Sequence, residues 1–152
     1  DKASVYRTFW KYYLRQVIIK REWVELAGLC ESILYGSGYD DIESEYRTYC
    51  RLYAYEYENI LSYFVFRYFL KGVFDRDVLT KVKMAIVSTL MIMQCDMAVR
   101  KRNGGSLSFT ERVDIAHLYS REVEHSEENF AALCKLFAHK KVFDEAGLDA
   151  LL

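Results

Sequence analysis

One arginine, Arg67, lies in a stretch from Ile60 to Leu70 that is otherwise almost entirely apolar or aromatic. A helix over this stretch would be apolar on most sides, which predicts that it lies at the centre of a helical domain. Its guanidinium then needs an anionic partner. The carboxylates that we expect to face it from neighbouring helices are Asp96 and Glu122. Two interpretations are open. Arg67 forms an interior ion pair that fixes how the helices pack, or it holds a bound carboxylate or phosphate.

A second polar group lies in the middle of the helix predicted after a capping box that begins at Ser108. Projected at about 100° per residue, Glu122, Ser126 and Asn129 fall within the buried arc of this helix, and His125 falls at its edge. These side chains would therefore face the interior of the protein, where polar groups need hydrogen-bond partners. They join Arg67 and Asp96 as candidate interior or pocket residues.

Glu122 and His125 stand three residues apart, a spacing that occurs in di-iron helical bundles. Such sites need a second pair of this kind and two further glutamates, and the sequence contains only this pair. Hydrogen bonding at the edge of the core is therefore favoured over a metal site. His117, Arg121 and Glu124 project onto the opposite side of the helix and are predicted to face solvent. The sequence has no phosphate-binding glycine loop and no His-Glu-x-x-His motif.

The composition is that of a globular domain, with 152 residues of which 52% are hydrophobic and 28% are charged. The absence of proline favours long, uninterrupted helices. A net charge of −1 gives no basic field for nucleic acid and no basic face for a membrane surface, so we expect neither partner. The four cysteines are far apart in apolar helical stretches, which predicts packed free thiols in a cytoplasmic protein.

Apolar periodicity and turn residues predict four main helices and a short C-terminal one. The first has a candidate break near Lys20 and Arg21, and the last is expected to end in Leu148, Leu151 and Leu152. We predict an all-α fold, an antiparallel up-and-down bundle, formed by residues 1–152 as a single domain. The main helices are expected at about 5–34, 41–74, 78–102 and 109–139.

An aromatic stripe follows one face of the second predicted helix. Two interpretations are open for it: packing in the core or in a helix–helix seam, and a platform on which a ligand or nucleobase stacks. Stacking grooves for single-stranded nucleic acid also carry basic residues, which this stripe lacks, so packing is favoured. The stripe consists of Tyr46, Tyr49, Tyr53, Tyr57, Ile60 and Phe64.

Two segments resemble the C-terminal part of bacterial flagellin lysine-N-methylases. Residues 57–69, YENILSYFVFRYF, resemble one segment of that family, and residues 116–129, AHLYSREVEHSEEN, resemble another. With the helix between them, the resemblance covers about residues 45–138. It implies an enzyme that methylates lysine side chains of flagellin with a donor such as S-adenosylmethionine. In that family a cysteine-rich N-terminal part carries a metal or iron–sulfur centre.

The four scattered cysteines do not match such a cluster. The resemblance therefore implies a helical C-terminal fragment of a longer protein, catalytically incomplete without the cysteine-rich part and binding no cofactor itself. Arg67, Glu122, His125, Ser126 and Asn129 lie in the matching segments, either as a structural lock or as one wall of the active-site pocket. Two alternatives remain. The chain is a non-catalytic interaction module that forms a homodimer through the aromatic stripe, or a ligand-binding domain of a helical regulator.

Overall fold

The computed structural model describes residues 1–149 and residue 151. Within them, all regular secondary structure is helical and no strand occurs, so the all-α prediction is confirmed. A π-helical segment (Ser120–Glu124) precedes α7, and a 3-10 turn (Lys141–Phe143) precedes α8. The predicted end of the last helix at Leu152 lies outside the described residues. The helices are α1 (Lys2–Tyr13), α2 (Arg21–Ile33), α3 (Tyr39–Cys50), α4 (Ala54–Asp75), α5 (Val78–Arg102), α6 (Phe109–Tyr119), α7 (Glu127–His139) and α8 (Glu145–Asp149).

The helix at the centre of the fold is α5, which contacts α2, α3, α4, α6 and α7. It begins where Asp77 accepts a hydrogen bond of 3.2 Å from the backbone of Thr80, as an N-cap residue does. It ends before Gly104, whose φ of +72° suits glycine. The bounds predicted from local signals, 78–102, are confirmed. The helix expected at the centre, α4, instead buries only one face, through Phe64, Tyr68 and Gly72.

Helix α5 is also long and apolar enough to cross a membrane by composition alone. However, 78% of its most apolar 18-residue window is buried inside the protein. Such burial is what the core helix of a globular domain shows.

Three of the four predicted main helices are interrupted. The first breaks at residues 14–20, the second at 51–53 and the fourth around the π-helical segment and residues 125–126. Neither glycine nor proline marks any of these breaks, so local signals could not reveal them. Only the first coincides with a predicted break, and its β-branched residues 17–19 are extended and exposed.

The core is aromatic and joins both ends of the chain. The ring of Phe143 stacks on Phe137 at 3.8 Å and on Phe9 at 4.8 Å between centroids. In the predicted aromatic stripe, Tyr46 and Phe64 are buried and the other members are half-buried. All four cysteines are free, and only Cys134 is not fully buried, as predicted.

Candidate functional site

The π-helical segment separates α6 from α7 and is packed on both sides. Its wide turn is closed by a hydrogen bond of 2.9 Å from the His125 backbone amide to the Ser120 carbonyl oxygen, five residues earlier. Single π-helical turns are frequent at functional sites. The extended 17–20 segment covers one side and α4 covers the other, so both Glu122 and Glu124 are buried. The prediction that Glu124 faces solvent is wrong because it assumed a single buried arc.

The carboxylate of Glu124 is held by three donor side chains. One oxygen, Oε1, accepts a hydrogen bond of 2.7 Å from the Tyr63 hydroxyl and pairs with the guanidinium of Arg67. The other, Oε2, accepts a bond of 2.9 Å from the Ser120 hydroxyl. The Glu124 side chain is 1% exposed, whereas that of Arg67 is 42% exposed. The buried carboxylate is therefore compensated by a cation that reaches water.

This ion pair corrects the partner expected for Arg67. Neither Asp96 nor Glu122 pairs with it in the part of the chain that the structure describes. The physical reason is that α4 lies beside the π-helical segment, with Tyr63 and Arg67 one turn apart on the side that faces Glu124. Asp96 and Glu122 find other partners.

Glu122 and Asn129 clamp the extended 17–20 segment. The Glu122 carboxylate accepts hydrogen bonds from the backbone amides of Ile19, at 3.0 Å, and Lys20. The Asn129 amide forms both backbone bonds with Val17, accepting from its N–H at 3.0 Å and donating to its carbonyl at 2.8 Å. It also donates to the Glu122 carbonyl at 2.7 Å. These side chains replace the backbone partners that a helix through residues 14–20 would have supplied.

Removing the carboxylate of this clamp should destabilise the domain. We expect Glu122→Ala to lower the free energy of unfolding by about 2–4 kcal/mol, because two charge-assisted hydrogen bonds to the backbone are lost. Urea denaturation measures the loss, and hydrogen exchange should show faster exchange at the Ile19 and Lys20 amides. The exposed Glu128 is the matched control, and Glu128→Ala should cost less than about 1 kcal/mol. Equal losses in both variants would contradict the clamp.

The remaining candidate residues have different positions. Ser126 is the N-cap of α7, where its hydroxyl accepts a hydrogen bond of 3.2 Å from the Asn129 backbone. His125 is exposed and lines a cleft beside Glu124. The structure therefore brings Arg67 and His125 to the Glu124 side of the segment, and Glu122 and Asn129 to the other.

The cleft beside Glu124 has a volume of about 340 Å³ and lies between α4, α5, α6 and the π-helical segment. One side is apolar, and the other carries a phenol, a hydroxyl, a carboxylate and two imidazoles. This combination can surround an alkyl chain and exchange a proton with a polar group at its end. The lining residues are Ile60, Tyr63, Phe64, Ile92, Ala116, His117, Ser120, Glu124 and His125.

Sequence reasoning missed four functional candidates in this cleft: Tyr63, His117, Ser120 and Glu124. The spacing of Ser120 and Glu124, four residues apart, was a usable signal because such side chains lie one helical turn apart. His117 and Glu124, seven residues apart, share a helix face in the same way. The shared face of His117 and Glu124 was not interpreted as a site because it was expected to face solvent.

Asp96 forms a separate buried site on α5. Its Oδ2 accepts a hydrogen bond of 2.6 Å from the Tyr57 hydroxyl, whose oxygen lies 2.5 Å from the Tyr46 hydroxyl. Its Oδ1 is buried without a hydrogen-bond partner among the described residues. Burial raises the pKa of Asp96 to about 7, although the Tyr57 hydrogen bond and the charge of Arg112 act in the opposite direction.

The residues of this chain do not fit a metal or iron–sulfur centre. Within residues 1–149 and 151, no three His, Cys, Asp or Glu side chains are grouped closely enough to hold a metal ion. Burial raises the pKa values of Cys50, Cys95 and Cys134, which disfavours the thiolate that a metal needs. We therefore derive no chemistry through a metal in this chain.

A second groove, of about 590 Å³, lies between α2 and α6. Leu26, Leu29 and Ile115 form an apolar floor, and acidic and basic side chains alternate around the rim. Neither this groove nor the cleft beside Glu124 is lined by a glycine, so neither has the glycine-rich turn with which many nucleotide sites approach their ligand. The grooves give no basis for placing a nucleoside-containing methyl donor.

Comparisons with known proteins identify one family. The family model described as FliB lysine N-methylase C-terminal domain matches residues 2–150, which is nearly the whole chain and more than the 45–138 of the resemblance. Comparisons with curated proteins and with solved structures found no match.

Proposed function

The chain belongs to the FliB lysine N-methylase C-terminal domain family, and from this premise we propose that it serves an enzyme that methylates lysine side chains of flagellin in the bacterial cytoplasm. The domain supplies one wall of the pocket that receives the substrate lysine. The observation that carries this choice is the cleft of about 340 Å³ in which apolar side chains face Glu124, His117 and His125.

The cleft suits the two parts of a lysine side chain. Ile60, Phe64 and Ile92 can pack against its methylenes, as apolar surfaces do with the stems of long charged side chains. The nitrogen at the end must lose a proton before its lone pair can attack a methyl carbon. Desolvation by these walls lowers the pKa of a bound ammonium, which favours the neutral amine.

The proton then needs an acceptor at the mouth of the cleft. Imidazole is the usual side chain for proton transfer near neutral pH, and His117 and His125 both lie there. The carboxylate of Glu124, fixed by Tyr63 and Ser120, can stabilise the imidazolium that results. We assign proton acceptance to the histidines and orientation to Glu124.

The methyl donor and any metal centre are proposed to bind outside this chain. The donor is S-adenosylmethionine, and the metal or iron–sulfur centre belongs to the cysteine-rich part implied by the resemblance. Support comes from the burial of the cysteines, which raises the pKa values of Cys50, Cys95 and Cys134 and disfavours metal-binding thiolates. The domain is therefore incomplete as a catalyst on its own.

The three histidines of the chain provide the test. In the complete methylase, His117→Gln and His125→Gln should each be made and assayed for methyl transfer to flagellin. At least one should lower kcat/KM by about 100-fold, the lower range for loss of an acid–base group. The exposed His139, at the end of α7, is the matched control, and His139→Gln should leave kcat/KM unchanged.

Full activity in both cleft variants would rule out the proposed site. Equal losses in all three variants would point to a general effect of histidine replacement and would equally reject it. Helical circular dichroism of each variant verifies that the fold is retained. The alternative of a ligand-binding regulator domain gains no support from the geometry, because the guanidinium of Arg67 is already paired with the carboxylate of Glu124.

A further inference from the structure

The outer face of α4 is apolar and meets solvent. Its members project opposite the buried Phe64 and Tyr68, so α4 is apolar on two sides but packed on one. Phe66 is 79% exposed and Phe74 is 89% exposed. Solvated helix faces normally carry charged residues, and this one carries none. The outer face consists of Phe66, Phe69, Leu70, Val73 and Phe74.

The spacing of the outer face indicates a helix as its partner. Phe66, Phe69 and Val73 follow each other at intervals of three and four residues, the a/d pattern of a helix–helix seam. Leu70 and Phe74 lie beside these three residues and extend the exposed apolar surface on one side. Toward the N-terminus the same pattern reaches Ser62 and Asn59, which are polar. The apolar part of the seam is therefore confined to the second half of α4.

The area of the outer face is sufficient for a stable interface. Its three rings alone expose roughly 430 Å², taking about 200 Å² for a fully exposed aromatic side chain. Leu70, Val73 and the adjacent Leu79 of α5 are each more than half exposed and extend the surface. Together they approach the roughly 800 Å² that each partner buries in a standard interface. A patch of this size exceeds the largest one found on most monomers.

We propose that the outer face of α4 binds the same face of a second copy of this chain. A two-fold interface requires a surface that complements itself. Antiparallel packing with the axis between Phe69 and Leu70 places Phe66 opposite Val73 of the partner copy and Phe69 opposite its Leu70. Phe66, Phe69, Leu70 and Val73 then each meet an apolar residue of the partner copy. This interface differs from the predicted one, which used the aromatic stripe, whose members are buried or half-buried.

Sedimentation of the 152-residue chain tests the proposal directly. The wild-type chain should sediment at micromolar concentration with twice the 18.0 kDa mass of one copy. Leu70→Glu places two like charges near the axis and should weaken association at least 100-fold, giving a monomer with unchanged helical circular dichroism. The control is Phe109→Glu, because Phe109 is 68% exposed at the start of α6, outside the outer face of α4. This variant should remain a dimer.

A second variant tests the position of the axis. In Leu70→Cys, a short thiol-specific crosslinker should join two copies, whereas in Phe109→Cys it should not. A wild-type chain that is monomeric at about 100 μM would overturn the proposal and leave the outer face to another part of the methylase or to its protein substrate. A dimer that persists in Leu70→Glu would overturn it as well. Neither result bears on the histidine test of the cleft.

Discussion

As the pH rises from about 4 to about 7, the wild-type domain should lose about 4 kcal/mol of stability through Asp96. The variant Asp96→Asn should not show this loss. The carboxyl is buried beside Tyr57, and burial raises its pKa from 3.8 to about 7 in the folded protein. The difference of about 3 pH units corresponds to about 4 kcal/mol at 1.36 kcal/mol per unit.

The direction of the effect follows from proton binding. Between about pH 4 and pH 7 the folded protein holds a proton on Asp96, whereas the unfolded chain has released it. The folded state therefore binds more protons, and the free energy of unfolding falls as the pH rises through this window. Above about pH 7 both states are ionised and the dependence from this group ends.

Urea denaturation of both proteins at several pH values provides the measurement. The quantity of interest is the difference between wild type and Asp96→Asn, because other carboxyls also titrate. Glu45, Asp75 and Glu111 have lowered pKa values and act in the opposite direction at lower pH. As the pH rises across this window, the free energy of unfolding of Asp96→Asn should increase relative to that of the wild type. A difference that stays constant with pH would show that Asp96 is ionised in the folded protein throughout.

The ion pair of Arg67 and Glu124 should respond unequally to the loss of its two members. Arg67→Ala leaves a carboxylate that is 1% exposed without a cation and should cost about 2–4 kcal/mol. Glu124→Gln keeps an amide that can bond to Tyr63 and Ser120, and it leaves a guanidinium that is 42% exposed and can be hydrated. It should cost about 1 kcal/mol.

A double-mutant cycle with urea denaturation measures this asymmetry and the coupling between the two residues. The exposed pair of Arg21 and Glu25 on α2 is the matched control, because both of its members are solvated. Arg21→Ala should cost less than about 1 kcal/mol. If Arg67→Ala costs no more than Arg21→Ala, the burial of Glu124 does not control the stability of the pair.

What the sequence could predict depended on how local the signal is. The ends of α5 and the capping box of α6 were correct because Asp77, Gly104, Ser108 and Glu111 act within a few residues of themselves. The break at 51–53 was not foreseen, and the break at 14–20 was foreseen only partly because its cause lies far along the chain. For the first break the cause is the clamp from Glu122 and Asn129.

The sequence predicted burial on most sides for α4 and exposure for Glu124, and both predictions were wrong for the same reason. Hydrophobicity shows which faces can be buried, but only the packing of helices decides which ones are. The apolar second half of α4 therefore looked central, and Glu124 looked solvated. The resemblance still identified the family, because it relied on the order of residues in two segments and not on their burial.

Because of the clamp, the part of the chain that folds as a unit is longer than the part that carries the recognisable sequence segments. Glu122 bonds to the backbone of Lys20 across 102 positions of sequence, and Phe9 stacks on Phe143. A polypeptide cut to residues 45–138 would contain both recognisable segments, yet Glu122 and Asn129 would lose the amides they hold. The shortest chain that keeps the cleft in shape must therefore reach from α1 through Phe143, well beyond the segments by which the family can be recognised.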